Sequence, residues 1–142
     1  MDYEAWADWY DVFYSLADPA EVDFYVDLAR ASGGPVLEIG VGTGRIAIPT
    51  AAAGIDVVGV DLHGPMLAKA REKLDRAGPL PGRIELLRAD MRTLDLGGRC
   101  FPLVTIPART LLLATSLADQ RRTLRRAAAH LAPGRTLAFN VF

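Results

Sequence analysis

The run Val36-Leu37-Glu38-Ile39-Gly40-Val41-Gly42-Thr43-Gly44-Arg45, answered by Val57-Val58-Gly59-Val60-Asp61, decides the fold. A mostly apolar strand runs into three glycines at alternate positions. A helix from about Arg45 to Ala53 follows, and Gly54 suits its C′ position. A chain that leaves a strand and enters a helix within a few residues must bend sharply. Glycine permits positive φ there and puts no Cβ in the way of a ligand. The second apolar strand ends in Asp61, about twenty residues on, where a carboxylate accepts hydrogen bonds from ribose hydroxyls. The pair reads as a nucleoside-binding βαβ unit.

Working outward, the same alternation continues. Upstream, Tyr3, Trp6, Tyr10 and Phe13 fall at roughly helical spacing. Asp18-Pro19 reads as an N-cap with proline at the first helical position, opening a helix to about Ala31 that buries Val22, Tyr25, Val26 and Ala29. The first strand is Pro35 to Ile39 and the second Ile55 to Val60. Pro65 opens a helix that turns Met66, Leu67, Ala70 and Leu74 inward and stops near Gly78. The third strand is about Arg83 to Arg88 and the fourth Leu103 to Ile106. Ser116 and Asp119 have capping-box spacing ahead of a helix from Leu117 to about Leu131, which Pro133-Gly134 breaks. The fifth strand is Thr136 to Phe142. Short, almost wholly apolar strands alternating with helices predict an α/β fold in three layers, a doubly wound, mainly parallel sheet of order 3-2-1-4-5. Its ligand crevice lies beyond the carboxyl ends of the strands. The expected organisation is a single domain over 1–142, with an N-terminal helical cap over 1–33 and an α/β core over 34–142.

Composition bounds the function. At 142 residues, 51% of them apolar, the chain has room for one sizeable core. A net charge of −1 argues against a surface built for nucleic acid or an anionic membrane. Arg121, Arg122, Arg125 and Arg126 cluster on one helix, and a solvated face complementing the helix C-terminus accounts for them. The one cysteine, Cys100, has no internal partner, so a cytoplasmic location is the expectation. Neither His63 nor His130 has a further ligand at useful spacing, and no metal is expected.

The glycine spacing is G-x-G-x-G, where the dinucleotide fingerprint has G-x-G-x-x-G. Glu38 would also lie against a pyrophosphate and repel it. A nucleoside carrying an amino group and a sulfonium suits the turn better, and S-adenosylmethionine fits that description. Val36 to Arg45 resembles the first motif of class I S-adenosylmethionine-dependent methyltransferases, a Rossmann-like family. Gly59-Val60-Asp61-Leu62 with Pro65-Met66-Leu67 resembles the second, Arg88-Ala89-Asp90-Met91 the adenine motif after the third strand, and Leu131-Ala132-Pro133-Gly134 the approach to the fifth strand.

The resemblance implies that Glu38, Gly40, Gly42 and Gly44 line the methionine end of the cofactor and that Asp61 takes the ribose hydroxyls. Leu62 and Met66 would pack near the adenine, Asp90 would accept from its amino group with Met91 beside the ring, and Ile106, Pro107 and Ala108 would lie near the sulfonium. The implied reaction transfers a methyl group to an oxygen, nitrogen or carbon of a small-molecule acceptor and leaves S-adenosylhomocysteine. Tyr10 and Tyr14 are candidate lid residues over the substrate, and Arg109 a candidate partner for a substrate carboxylate. No residue is assigned as a catalytic base. Pro102 departs from the family's usual aspartate before the fourth strand, and His63-Gly64 from its usual helix entry. The family sheet also continues past the fifth strand with an antiparallel pair. An apolar fifth strand at an open edge predicts either a shortened form of a longer enzyme or a homodimer paired through that edge. Two other readings stay open: a non-catalytic cofactor-binding module and a nicotinamide-dependent oxidoreductase.

Overall fold

In the computed structural model, which describes residues 2–16 and 19–141, five strands form one parallel sheet. They are β1 (Val36–Ile39), β2 (Val57–Asp61), β3 (Ile84–Arg88), β4 (Phe101–Ile106) and β5 (Leu131–Phe139), in the order β3-β2-β1-β4-β5. This is the order expected from the right-handed crossover rule. Val36 stands beside Val57 on one flank and Leu103 on the other, so β1 lies at the centre and delivers the glycine turn to the middle of the crevice.

Alternate residues of the central strands feed two separate cores. Val36, Val57 and Leu103 face α2 (Ala20–Ser32), α3 (Ala47–Ala52) and α4 (Gly64–Ala77), where Ala29, Ala47 and Leu67 close the packing. Leu37, Ile39, Val58, Val60, Val104 and Ile106 face the opposite layer, which holds α5 (Leu117–Ala129) and Leu94 from the connection between β3 and β4. Leu37, Val104 and Ile106 are fully buried. Removing side chains of this size from water contributes about 1.5–3 kcal/mol each. The outermost helix, α1 (Tyr3–Tyr14), lies across α4, outside the three layers. No helix among the described residues is long and apolar enough to cross a membrane.

Several boundaries differ from the sequence reading. The expected Asp18 cap lies outside the described residues; Pro19 sits immediately before α2 in helical φ/ψ. The third helix begins at Ala47 and not Arg45, because Gly42 and Gly44 hold positive φ and the chain turns for two further residues before helical bonding starts. The helix expected to reach Leu131 ends at Ala129, with His130 as its C-cap. Pro133 and Gly134 therefore do not break it but fall within β5. There, two steps along β4 (Phe101 to Leu103) face five along β5 (Leu131 to Thr136).

The same irregularity explains Pro102, which lies inside β4 and not ahead of it. The ladder skips that residue, so its missing N–H costs no bond. β5 starts and stops earlier than expected: Asn140 and Val141 follow it as irregular chain, and Phe142 lies outside the described residues. The cap at Ser116 is present, its hydroxyl accepting from the Asp119 N–H at 3.1 Å. The Asp119 carboxylate, however, is paired with Arg92 and Arg122. The last unforeseen element is a 3-10 turn, Thr110–Leu113, after β4.

Candidate functional site

Glu38 is the one charged residue of β1, and it sits 3% exposed at the carboxyl end of the central strand. Its carboxyl is pushed up to about 8, first by burial, with Asp61 and Glu21 adding and Arg45 opposing. Among the described residues none donates a hydrogen bond to it. The group borders a narrow cleft walled by Gly40, Arg45, Pro107, Ala108, Thr110 and, from α1, Tyr10. A buried carboxyl is costly to ionise unless a donor or a cation is brought to it. Such a group at the mouth of a glycine turn has the chemistry to accept a positively charged one.

The turn itself is tight. Gly40, Gly42 and Gly44 all hold positive φ, between 57° and 83°. A Cβ on Gly40 would stand 2.3 Å from the Thr110 methyl, so the turn after β4 packs directly on the turn after β1. A Cβ on Gly42 would meet the Met66 methyl at 3.3 Å and the Tyr10 ring at 4.0 Å. Asp61 reaches across to close the unit: the Gly42 N–H donates to its Oδ2 at 2.9 Å and the His63 N–H to its Oδ1 at 2.9 Å. Ala108, in the wall of the cleft, holds φ of 57°, the left-handed region that a side chain rarely adopts.

A family model described as a methyltransferase domain matches residues 36–134. The chain belongs to the methyltransferase-domain family. It is 34% identical over 128 residues to the cypemycin N-terminal methyltransferase of a Streptomyces species, covering 88% of this chain and 49% of that protein. Among solved structures, the CcbJ methyltransferase of Streptomyces caelestis superposes with a TM-score of 0.78 at 34% identity, covering 86% of this chain and 49% of that one. CalS10 of Micromonospora echinaspora, an amino pentose methyltransferase solved with S-adenosylmethionine bound, gives 0.76 at 29% identity, covering 92% and 54%. The chain thus spans about half the length of these relatives.

The methyltransferase domain arranges the residues singled out from the sequence in two groups. Glu38, Gly40, Pro107, Ala108 and Tyr10 share the cleft. Ile106, by contrast, is fully buried in the core beneath α5 and does not line the cleft. Asp61, Leu62 and Met66 stand on the far side of the glycine turn. Met66 is buried, and Leu62 is 44% exposed at the surface. Asp90 follows β3, gripped at both oxygens by the Arg92 guanidinium at 2.7–3.2 Å, and Arg92 holds its carboxyl below the usual range. Met91 leans into the same core as Ile106. Arg109 is exposed on the turn after β4.

Two arrangements escaped sequence reasoning because each joins residues far apart in the chain. Arg45 pairs with Glu21 of α2 and lies 4.5 Å from the centre of the Tyr14 ring. The second Glu21 oxygen accepts from Asn140 Nδ2 at 2.7 Å, and Asn140 Oδ1 accepts from the Tyr25 hydroxyl at 2.7 Å. Beside this network Thr43, fully buried, donates to Asp11 Oδ1 at 2.6 Å, and Lys73 pairs with the same oxygen at 3.1 Å. These contacts seat α1 over the glycine turn, with Tyr10 and Tyr14 stacked 4.6 Å apart.

Proposed function

We propose that this chain binds S-adenosylmethionine and transfers its methyl group to a nucleophile on a small molecule. The observation that carries this reading is Glu38: a buried carboxyl, raised by that burial, that borders a glycine-walled cleft. The cofactor, when bound, supplies a methyl group on a positively charged sulfur, ready for in-line displacement. A neutral or cationic aminoacyl end suits Glu38 where a pyrophosphate would be repelled. That chemistry, together with the family match, favours this reading over a nicotinamide oxidoreductase.

Each group in the site then has work to do. Glu38 ionises against the ligand's amino group. Gly40, Gly42 and Gly44 let the backbone approach it. Asp61, already oriented by the Gly42 and His63 N–H groups, keeps lone pairs for the ribose hydroxyls. Leu62 and Met66 flank the base, Met91 backs it, and Asp90 accepts from its amino group. Pro107 and Ala108 shape the wall nearest the reacting centre, and Ile106 packs in the core behind them. Tyr10 and Tyr14 exclude water from above, and Arg109 pairs with an acidic substrate group. Alignment of two reactants in a dry site supplies up to about 7–11 kcal/mol of a displacement barrier, so the reaction needs no base when the nucleophile arrives deprotonated. The names of the relatives, an amino pentose methyltransferase and an N-terminal methyltransferase, favour an amine-bearing acceptor.

Thermal denaturation with S-adenosylhomocysteine and with NADH, run separately, tests the proposal. Saturation at about one hundred times Kd stabilises a binding protein by about 2.7 kcal/mol. The expected result is a rise in Tm with S-adenosylhomocysteine alone; a rise with NADH alone overturns the reading. Turnover of radiolabelled methyl groups across amine, phenol and carboxylate acceptors then separates an enzyme from a binding module.

A further inference from the structure

The connection between β3 and β4 carries Asp90 and Met91 and has no regular structure over residues 89–100. Three contacts from one helix hold it. Asp119, in the first turn of α5, pairs with Arg92 at 3.4 Å, and Arg92 in turn grips Asp90. Arg126 Nε, in the last turn, donates to the Leu94 carbonyl at 2.6 Å. His130, the C-cap, accepts from the Leu96 N–H at its Nε2, 3.1 Å away. Leu94 itself is 2% exposed in the core beneath α5.

His130 is built for this single task. It is 2% exposed. A backbone N–H can only donate, so Nε2 must be the bare nitrogen; the proton then resides on Nδ1, which lies 2.6 Å from the Arg126 carbonyl. Both ring nitrogens are therefore satisfied by backbone, one on the helix and one on the loop. The same reach explains why Arg126 points inward from an otherwise solvated basic face.

We infer that Asp119, Arg126 and His130 are positioning residues that set the nucleobase edge of the pocket, by strapping the Asp90–Leu96 segment to α5. This rests on the reading that the adenine amino group meets Asp90. Without the strap, the loop loses its register against the sheet, and the Asp90 carboxylate no longer stands at a fixed place beyond β3. A role in general packing would weaken every ligand alike. A role in placing Asp90 weakens only ligands that offer it a donor.

Binding of S-adenosylhomocysteine and of its 6-oxo analogue, S-inosylhomocysteine, measured by calorimetry, distinguishes the two. The intact chain is expected to prefer the adenosyl compound by about tenfold or more, since one lost hydrogen bond to a charged acceptor is worth about that factor. His130→Asn keeps a donor near the Nδ1 position and removes the acceptor for Leu96. Asp119→Asn leaves the Ser116 cap intact and frees Arg92. Both are expected to reduce the adenosyl preference to within about threefold, with affinity for the inosyl compound little changed. His130→Gln, whose amide oxygen reaches the Nε2 position, is expected to restore most of the preference. An unchanged preference in folded His130→Asn and Asp119→Asn overturns the strap. An intact chain that binds both compounds equally removes Asp90 from base recognition, and the strap's role with it. An intact chain that binds neither overturns the proposed function itself.

Discussion

The Gly42 N–H donates to Asp61 Oδ2 at 2.9 Å, so the glycine turn of β1 and the acid that ends β2 are one hydrogen-bonded unit before any ligand arrives. The second oxygen of the same carboxylate takes the His63 N–H and fixes the entry to α4. Asp61→Ala removes both acceptors. The expected outcome is a loss of about 1–3 kcal/mol in S-adenosylhomocysteine affinity, with a stability loss of similar size. Asp61→Asn keeps one acceptor and is expected to retain most of the stability while losing affinity. Calorimetry and chemical denaturation on the same samples check the pair; unchanged affinity in Asp61→Ala takes Asp61 out of the site.

Gly40 faces Thr110 at a distance no added Cβ survives, with Cγ2 at 2.3 Å and Oγ1 at 2.5 Å from where it would lie. Its φ of 77° adds about 1–2 kcal/mol of backbone strain for any other residue. Gly40→Ala is expected to cost about 2–4 kcal/mol in all, strain and overpacking together. Combining it with Thr110→Ala removes the two nearest atoms but not the strain, so partial recovery is expected. Strict additivity of the two changes in denaturant midpoints would show that Thr110 is not the obstacle.

Glu38 makes ligand binding and stability depend on pH in opposite senses. Its folded carboxyl, at about 8, lies above the ordinary value of 4.5. Between these values the folded chain holds a proton that the unfolded chain has released. The neutral group's contribution to stability is thus fully present below about 4.5 and lost as pH rises through about 8. A cationic ligand needs the ionised form. Affinity for S-adenosylhomocysteine should therefore rise from about pH 6 to about pH 8, with a proton released on binding. Calorimetry in buffers of different ionisation enthalpy counts that proton. Glu38→Gln is expected to flatten both profiles.

Asp11 holds α1 in place through Thr43 and Lys73. Asp11→Ala leaves the fully buried Thr43 hydroxyl without its acceptor and should cost about 1–3 kcal/mol. Hydrogen exchange of the α1 amides is expected to quicken while exchange in β1 and β4 stays slow. Because Tyr10 stands over the cleft, association of S-adenosylhomocysteine should also become faster. Equal protection of α1 in Asp11→Ala and the parent chain would mean that other contacts seat the helix.

The crevice above β1 was legible in residues 36–61, and the order β3-β2-β1-β4-β5 in the alternation of strands and helices along the chain, because glycine turns, apolar strands and helix stops are local events with local signatures. Gly54 after α3 and Ser116 ahead of α5 were legible for the same reason. Pro133 misled because its local meaning, a helix stop, was overridden by an irregular pairing with Phe101–Leu103, which only the neighbouring strand could impose. Partners far apart in the chain, from 24 residues to 119, carry no local signature at all. Arg45 finds Glu21, Glu21 finds Asn140, Leu96 finds His130, and Thr110 fills the space that Gly40 leaves. These choices belong to the tertiary structure, since burial decides which polar groups must be paired and packing decides which are near enough to pair. Sequence alone determined where the backbone turns and which carboxylates stand at strand ends. Folding decided that one of those acids, Glu38, would be buried beside the cleft, and that burial is what raises its carboxyl.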